Sequence, residues 1–150
     1  MTVVMNMNVD IHCPVEEVFQ AMSDIRTQPQ WDPDLLEGRH IPDGAPGLGT
    51  ELVEVRKFMG RVSENSSEYV EFEPNKSFIR YGDNGPLALT GRIQFKPNGD
   101  QTSVSWQWEL QLKGLLRIFE PLMEPMMQKQ AQSILVNLKQ LLESGAFEPL

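Results

Sequence analysis

The residues in this sequence that could carry out chemistry are few, and they do not form a recognisable catalytic set. The chain of 150 residues contains two histidines, His12 and His40, and one cysteine, Cys13. A single cysteine forms neither an internal disulfide nor a thiolate metal cluster. The two histidines have no carboxylate partner at the spacing of a two-histidine, one-carboxylate iron site. We therefore expect no bound metal and no cofactor.

An arginine and a tyrosine side by side are candidates for polar contact with a bound molecule. Arg80 and Tyr81 fall on one short predicted strand, so their side chains face opposite sides of the sheet. We expect Tyr81 to face inward, in phase with Ile79. There its phenol can hydrogen-bond a ligand carbonyl or donate a proton in a reaction. Arg80 is then a solvated strand residue, and pairing with an anionic ligand head is the alternative.

The remaining polar candidates give weaker indications of chemistry. His40 follows Trp31 at the expected mouth of a binding site and is a candidate general base. Asp32 and Asp34 resemble a carboxylate pair, but they fit turns and helix caps better. No serine lies in a Gly-x-Ser-x-Gly setting, so the sequence offers no nucleophile with its base. No catalytic residue is assigned from these patterns.

Composition and charge exclude several classes of function. Hydrophobic residues make up 40% of the chain and charged residues 23%, which is typical of a globular domain. A length of 150 residues suits one domain, residues 1–150. The formal net charge is −8, and such a surface repels nucleic acid phosphates and anionic lipid headgroups. We expect no nucleic acid partner and no constitutive membrane association.

Nothing in the sequence predicts a membrane span or a secretory leader. The longest apolar runs are a few residues long, far short of the roughly 20 that a transmembrane helix needs. Met1 to Asp10 lacks a basic region and a continuous apolar stretch, because Asn6 and Asn8 interrupt it. We therefore expect a cytoplasmic protein.

Hydrophobic periodicity predicts an α+β domain. The first residues alternate with period two up to Ile11 and predict a strand, and Pro14 then begins a short amphipathic helix. A second short helical or turn segment follows over Ser23 to Leu36, and a Gly- and Pro-rich loop spans 42–49. Five further strands are predicted over 51–59, 68–73, 78–81, 87–96 and 102–112, the last two joined by an Asn-Gly hairpin turn. A long helix is expected over 115–144, bent or broken near Pro121 and Pro125 and ended by Gly145.

The last predicted strand shows which side of the sheet is buried. Its apolar residues, which include Trp106 and Trp108, alternate strictly with polar residues such as Ser105 and Gln107. This alternation is typical of an antiparallel sheet with one buried face. The C-terminal helix is the only large element that can cover that face. A curled sheet around a straight helix leaves space, so we expect an apolar pocket between them.

With these elements in order, the chain resembles the START-like superfamily, also called SRPBCC, of polyketide cyclase/dehydrase and lipid-transport type. Five segments carry the resemblance: 9–19, Gln30-Trp31-Asp32-Pro33, Gly47-Leu48-Gly49-Thr50, 102–108 and 138–143. It covers nearly the whole chain. The resemblance implies a helix-grip fold, with a curved antiparallel sheet wrapped around a long C-terminal helix, two short helices after the first strand, and a deep cavity.

The resemblance and the pocket together predict a binding or carrier domain for a small hydrophobic molecule of lipid, polyketide or aromatic type. A polyketide cyclase or dehydratase that uses the same cavity is the alternative, and a protein-interaction module is a third possibility. Met123, Met126 and Met127 suit a site of variable shape as well as simple packing. The residues expected to bind the ligand are Trp31, His40, Val70, Phe72, Tyr81, Ile93, Trp106, Trp108, Met123 and Met127.

Overall fold

A computed structural model of the chain describes residues 2–58 and 60–150. Strand β1 (Thr2–Ile11) is followed by helix α1 (Val15–Ser23), a 3-10 turn (Gln28–Gln30) and strand β2 (Leu35–Ile41). Five more strands follow: β3 (Glu51–Phe58), β4 (Arg61–Glu73), β5 (Ser77–Asp83), β6 (Leu87–Asn98) and β7 (Gln101–Leu112). A 3-10 segment (Gly114–Phe119) leads into helix α2 (Glu120–Glu143). Met1, the first residue of the N-terminal segment, and Met59, the last residue of the strand predicted over 51–59, lie outside the described residues.

The strands form one antiparallel sheet in the order β1-β7-β6-β5-β4-β3-β2. Every strand after β2 pairs with its predecessor, and β7 returns to pair with β1 along its whole length. Helix α2 packs against one side of this sheet, which we call the inner face, and the opposite side is the outer face. This architecture confirms the α+β helix-grip fold, with a curved sheet around a long C-terminal helix.

The region after α1 differs from the prediction. Of the two short helices expected there, one is α1 and the other is only the 3-10 turn Gln28–Gln30. Pro29 and Pro33 interrupt the segment and prevent a longer helix. Strand β2, which periodicity did not reveal, begins at Leu35. A bulge between Leu35 and Glu37 disrupts the alternation from which a strand is recognised.

Helix α2 begins later than its apolar periodicity suggested. Pro121 occupies the first turn of the helix, where backbone N–H groups have no partner within the helix, so its missing N–H costs no hydrogen bond. The residues before it, Gly114–Phe119, adopt the tighter 3-10 form. Pro125 lies inside the helix without ending it. Gly145 adopts a φ of 74° and follows the helix as its expected stop.

The main core fills the space between the inner face and the C-terminal half of α2. From α2 it contains five buried residues, namely Ala131, Ile134, Leu135, Leu138 and Leu142. At the end of the sheet under α1 it consists of aromatic rings: Phe19 lies 5.1 Å from Phe95 and 5.9 Å from Phe78, ring centre to ring centre. These edge-on contacts close that end of the fold.

Candidate functional site

A row of side chains crosses four strands on the inner face. The register places Tyr69 opposite Arg80, Arg80 opposite Gly91, and Gly91 opposite Trp108. Gly91 has no side chain, so the Trp108 indole lies directly over it: a Cβ built at position 91 comes within 2.9 Å of two indole ring carbons. The Arg80 guanidinium carbon lies 5.6 Å from the centre of the same indole. Arg80 and Trp108 thus form a stacked pair, a cation–π contact.

Arg80 and Tyr81 face the opposite way from the prediction. Arg80 is 6% exposed and points inward, whereas Tyr81 is 44% exposed on the outer face. The Phe78 ring belongs to the core on the inner face. Because alternate residues of a strand share a face, Arg80, two positions later, also points inward. Ile79, taken as the inward marker, is buried outside the core clusters. The expectation that Tyr81 faces the ligand site is therefore wrong.

A bulge in β4 also moves one predicted site residue to the outer face. The register shifts between Tyr69 and Glu71, which leaves Val70 as the extra residue. Tyr69 and Phe72 consequently both face inward, although they are three positions apart. Phe72 packs against the core with its ring 5.4 Å from Phe19. Val70 is exposed and cannot line a pocket on the inner face.

Most of the other predicted site residues gather around the main core. Ile93, Trp106 and Trp31 are buried members of it, and Trp108 and Met127 are half-buried against it. Trp106 and Trp108 meet edge to face with their ring centres 5.6 Å apart. The half-buried Met123 packs on a smaller apolar cluster formed by Val3, Leu110 and Leu112, which Met127 also touches. Trp31 is thus part of the core and does not form an exposed mouth.

His40 is a buried residue and does not lie at an exposed mouth. Its side chain is fully buried, and its Nδ1 lies 2.8 Å from the carbonyl oxygen of Gly44, to which it donates a hydrogen bond. Its Nε2 faces Oδ1 of Asp24 at 3.7 Å. His40 therefore ties the loop over 42–49 to the chain after α1, and its Nε2 is buried without a hydrogen-bond partner among the described residues. The prediction that it lines the mouth is wrong.

A buried group of charges on the inner face was missed by the sequence analysis. This ion cluster consists of Asp32, Glu54, Arg56 and Arg80. Arg56 Nη2 lies 2.9 Å from Asp32 Oδ2 and 3.5 Å from Glu54 Oε2, and Arg80 Nη2 lies 3.6 Å from Glu54 Oε2. Arg80 also donates hydrogen bonds to Ser67 Oγ from Nε at 3.3 Å and from Nη2 at 3.1 Å.

The carboxylates of the ion cluster stabilise the charged form of Arg56. Burial acts to lower the pKa of the Arg56 guanidinium, but Glu54 and Asp32 outweigh it and raise that pKa above its ordinary value. Asp32 additionally accepts a hydrogen bond from Gln28 Nε2 at 3.0 Å. The available signal was the spacing Leu52, Glu54, Arg56, since alternate residues of a strand share a face and Leu52 is apolar.

Three indole nitrogens are buried without a hydrogen-bond acceptor among the described residues. They are Nε1 of Trp31, Trp106 and Trp108, and their rings all belong to or pack on the main core. A buried donor left unpaired costs about 1–3 kcal/mol, so such groups are rare in folded proteins. All three therefore lie in or against the main core without a protein acceptor among the described residues.

The N-terminal half of α2 and the 3-10 segment before it leave several apolar residues exposed. Leu122 is 73% exposed, and Leu115, Ile118, Phe119 and Met126 are exposed as well. Leu122 and Met126 are four positions apart, beside the half-buried stripe of Met123 and Met127. Grouped apolar exposure marks binding surfaces in soluble proteins. This half of α2 therefore packs on the inner face through Met123 and Met127 and leaves Leu122 and Met126 exposed beside them.

Two clefts on the protein surface lie away from this region. One of about 410 Å³ is lined on the outer face by residues that include Glu51, Glu68 and Tyr81. The other, of about 150 Å³, lies among the outward polar residues of β1, β6 and β7. Neither cleft lies between the inner face and α2, where the pocket was predicted. Within the described residues, no group of three or more His, Cys, Asp or Glu is arranged to hold a metal ion, and no helix is long and apolar enough to cross a membrane.

Comparison with known proteins agrees with the fold. The sequence of residues 2–143 matches the family described as polyketide cyclase/dehydrase and lipid transport. A protein from Thermus thermophilus superposes with a TM-score of 0.77 at 18% identity, over 91% of this chain and 94% of that one. The Zhui aromatase/cyclase from a Streptomyces species superposes with a TM-score of 0.77 at 9% identity, over 93% of each chain.

A START superfamily protein from Mycobacterium smegmatis superposes with a TM-score of 0.68 at 20% identity, over 94% of each chain. Likeness at such low identity concerns the fold alone, and a comparison with curated protein sequences finds no match. The family match extends over nearly all of the chain, and its helix-grip fold is the one expected from the sequence. The chain belongs to the polyketide cyclase/dehydrase and lipid transport family.

Proposed function

We propose that this domain binds and carries a small hydrophobic molecule of lipid, polyketide or aromatic type between its inner face and the N-terminal half of α2. The observation that carries the proposal is the exposed apolar surface of that half, where Leu122 is 73% exposed, together with the half-buried Trp108 on the inner face. Membership of the polyketide cyclase/dehydrase and lipid transport family supports it. No membrane or nucleic acid contact is required for this function.

The same region has the composition of a small-molecule site. Trp108, Met123 and Met127 are half-buried, so a modest outward movement of α2 would expose a continuous apolar surface. Methionine side chains adapt their shape and suit ligands of differing outline. Such sites are mainly apolar with a few placed polar groups, and Arg80 beside Trp108 is the polar group here.

Carriage is favoured over a cyclase or dehydratase reaction because neither Tyr81 nor Tyr69 offers a free phenol on the inner face. Tyr81, the expected acid, lies on the outer face. Tyr69 does face inward, but its hydroxyl already donates a 2.6 Å hydrogen bond to the Ser23 carbonyl. Burial also raises the pKa of the Tyr69 phenol above its ordinary value, which opposes ionisation. His40 is fully buried, with its Nδ1 hydrogen-bonded to Gly44.

The proposal is tested by ligand binding with a matched pair of surface variants. Leu122→Asp removes apolar surface from α2, whereas Leu48→Asp changes an equally exposed leucine, 72% against 73%, in the loop over 42–49. Native mass spectrometry of the purified protein and tryptophan fluorescence with sterols, fatty acids, flavonoids and polyketides measure binding. We expect Leu122→Asp to weaken affinity about tenfold, from the loss of one apolar contact, and Leu48→Asp to leave it unchanged.

Three results would count against the carrier assignment. If no compound of the panel binds, the proposed function is wrong. If binding occurs but both variants bind equally well, the ligand lies elsewhere on the protein. If the protein converts a bound polyketide into a cyclised or dehydrated product, the enzymatic alternative replaces carriage.

A further inference from the structure

The unpaired indole donors point to a ligand that carries hydrogen-bond acceptors. Trp106 is 9% exposed, and its Nε1, like that of Trp108 beside it, has no acceptor among the described residues. A hydrocarbon placed against these rings would leave both donors unpaired. A carbonyl, ester or ether oxygen would accept from them, and the gain is largest where water is excluded.

The charges of the inner face point to a ligand without net charge. The ion cluster contains two guanidinium groups, Arg56 and Arg80, and two carboxylates, Asp32 and Glu54, so its formal charges cancel. Glu54 lies within 3.6 Å of both guanidinium groups. A carboxylate or phosphate bound beside Arg80 would have to compete with Glu54 while losing its own hydration.

One more buried carboxylate strengthens this argument. Glu120, the first residue of α2, is 5% exposed, and its Oε2 has no hydrogen-bond partner within the described part of the chain. It lies where α2 begins, next to the segment whose apolar side chains are exposed, so the side chain at this end of the helix is acidic rather than basic. An anionic ligand gains no ion pair from it, whereas a neutral ligand needs none.

We propose that the ligand of this domain is an uncharged, largely apolar molecule with at least one oxygen acceptor, which accepts hydrogen bonds from the indole nitrogens of Trp106 and Trp108. The inference rests on the proposed binding function and narrows its ligand class. Ketones, esters and neutral polycyclic compounds are bound, and free fatty acids and phosphorylated lipids are selected against by the paired ion cluster.

Two series of probes of equal size test the polarity of the ligand. The first is 2-ethylnaphthalene, 2-acetylnaphthalene and 2-naphthoate, and the second is dodecane, 2-dodecanone and dodecanoate. Affinity is measured by tryptophan fluorescence titration of the intact protein. We expect the ketone of at least one series to bind about tenfold more tightly than both its hydrocarbon and its acid, which corresponds to one hydrogen bond gained in a dry site.

The outcomes separate this inference from the proposed function. If the hydrocarbon or the acid binds as tightly as the ketone in both series, the domain still binds hydrophobic molecules but the inference is wrong. If no member of either series binds, the proposed function itself is contradicted. In ¹⁵N-labelled protein, the indole N–H signals of Trp106 and Trp108 should shift with the ketone and much less with the hydrocarbon. Equal shifts with both probes would overturn the hydrogen bonds.

A charge variant tests the role of the ion cluster. Glu54→Gln removes one carboxylate, so Arg80 keeps an uncompensated charge, and the preference for ketone over acid should fall about tenfold. Glu64→Gln is the matched control, because it makes the same change in net charge at an exposed carboxylate that pairs with Arg39. An unchanged preference in folded Glu54→Gln would refute selection by the cluster. If that variant does not fold, the probe series on the unaltered protein still decides the question.

Discussion

Substitution of Gly91 by alanine should damage the ligand site through a single methyl group. The added Cβ would lie 2.9 Å from two ring carbons of Trp108 and 3.0 Å from a third, closer than real Cβ atoms approach. Backbone on a central strand cannot retreat without disturbing β5 and β7, with which β6 pairs. The indole must therefore lift away from the sheet, and its contact with Arg80 at 5.6 Å is lost.

The size of the effect follows from two opposing terms. Forcing a core side chain out of place costs roughly 1–3 kcal/mol. Replacing glycine by alanine in a strand returns about 0.5–1 kcal/mol, because the unfolded chain loses conformational freedom. We expect a net loss of about 1–2 kcal/mol in the free energy of unfolding. For a domain of 150 residues this lowers the melting temperature by about 2–8 °C.

A double-mutant cycle in urea isolates the contact between the two residues. Trp108→Phe shortens the ring, so Gly91→Ala should cost about 1 kcal/mol less in that background than in the unaltered protein. Gly47→Ala is the control, since a Cβ there meets nothing within 4 Å, and it should change stability by less than about 0.5 kcal/mol. If Gly91→Ala costs the same with tryptophan and with phenylalanine at position 108, the indole does not lie over Gly91 and the reasoning fails.

Three further predictions concern buried polar groups. Asp32→Ala leaves Arg56 without its partner at 2.9 Å and should lower the free energy of unfolding in urea by about 2–4 kcal/mol. Loss of the exposed Glu64 carboxylate should lower it by less than about 1 kcal/mol. Equal losses would contradict the buried pair. Burial, with Glu17 nearby, raises the pKa of the Cys13 thiol. Native protein at pH 8 should therefore react with Ellman's reagent much more slowly than urea-unfolded protein. Rapid stoichiometric labelling of the native state would refute this. Burial raises the pKa of Tyr69 in the folded state above the ordinary 10.0, so Tyr69 ionises first in the unfolded state. The free energy of unfolding should therefore fall as the pH rises above about 10, and Tyr69→Phe should reduce that fall. An identical pH profile in the variant would show that Tyr69 is not responsible.

Elements with strong local periodicity were predictable from the sequence. The alternation of Val104, Trp106 and Leu110 with polar residues placed these three side chains correctly on the buried face of β7. The Asn-Gly turn was also correct: β6 ends at Asn98, Gly99 has a φ of 65°, and β7 begins at Gln101. Steric restrictions on φ and the pleat of a strand act within a few residues, so they can be recognised without knowledge of the partner strands.

The phase of the weaker strands was not predictable in this way. In β5, apolar Ile79 and aromatic Tyr81 suggested one inner face, but Phe78, Arg80 and Gly82 occupy it. In β4, the bulge at Val70 changes the phase in mid-strand. A strand with apolar residues on both faces takes the orientation that its neighbours allow, and bulges arise from pairing rather than from composition.

The sequence by itself determined a helix-grip domain with an acidic surface, a strand with two inward-facing tryptophans, and a long helix over the sheet. Only the tertiary structure decided that Arg80 stacks on Trp108 above Gly91, and that Asp32 neutralises Arg56 from a segment 24 positions away in the chain. Hydrophobic alternation reports the solvent exposure of each residue along its own strand. Contacts between charges and rings depend instead on strand register and on which distant residues the fold brings together. Neither can be read from the order of residues along one strand.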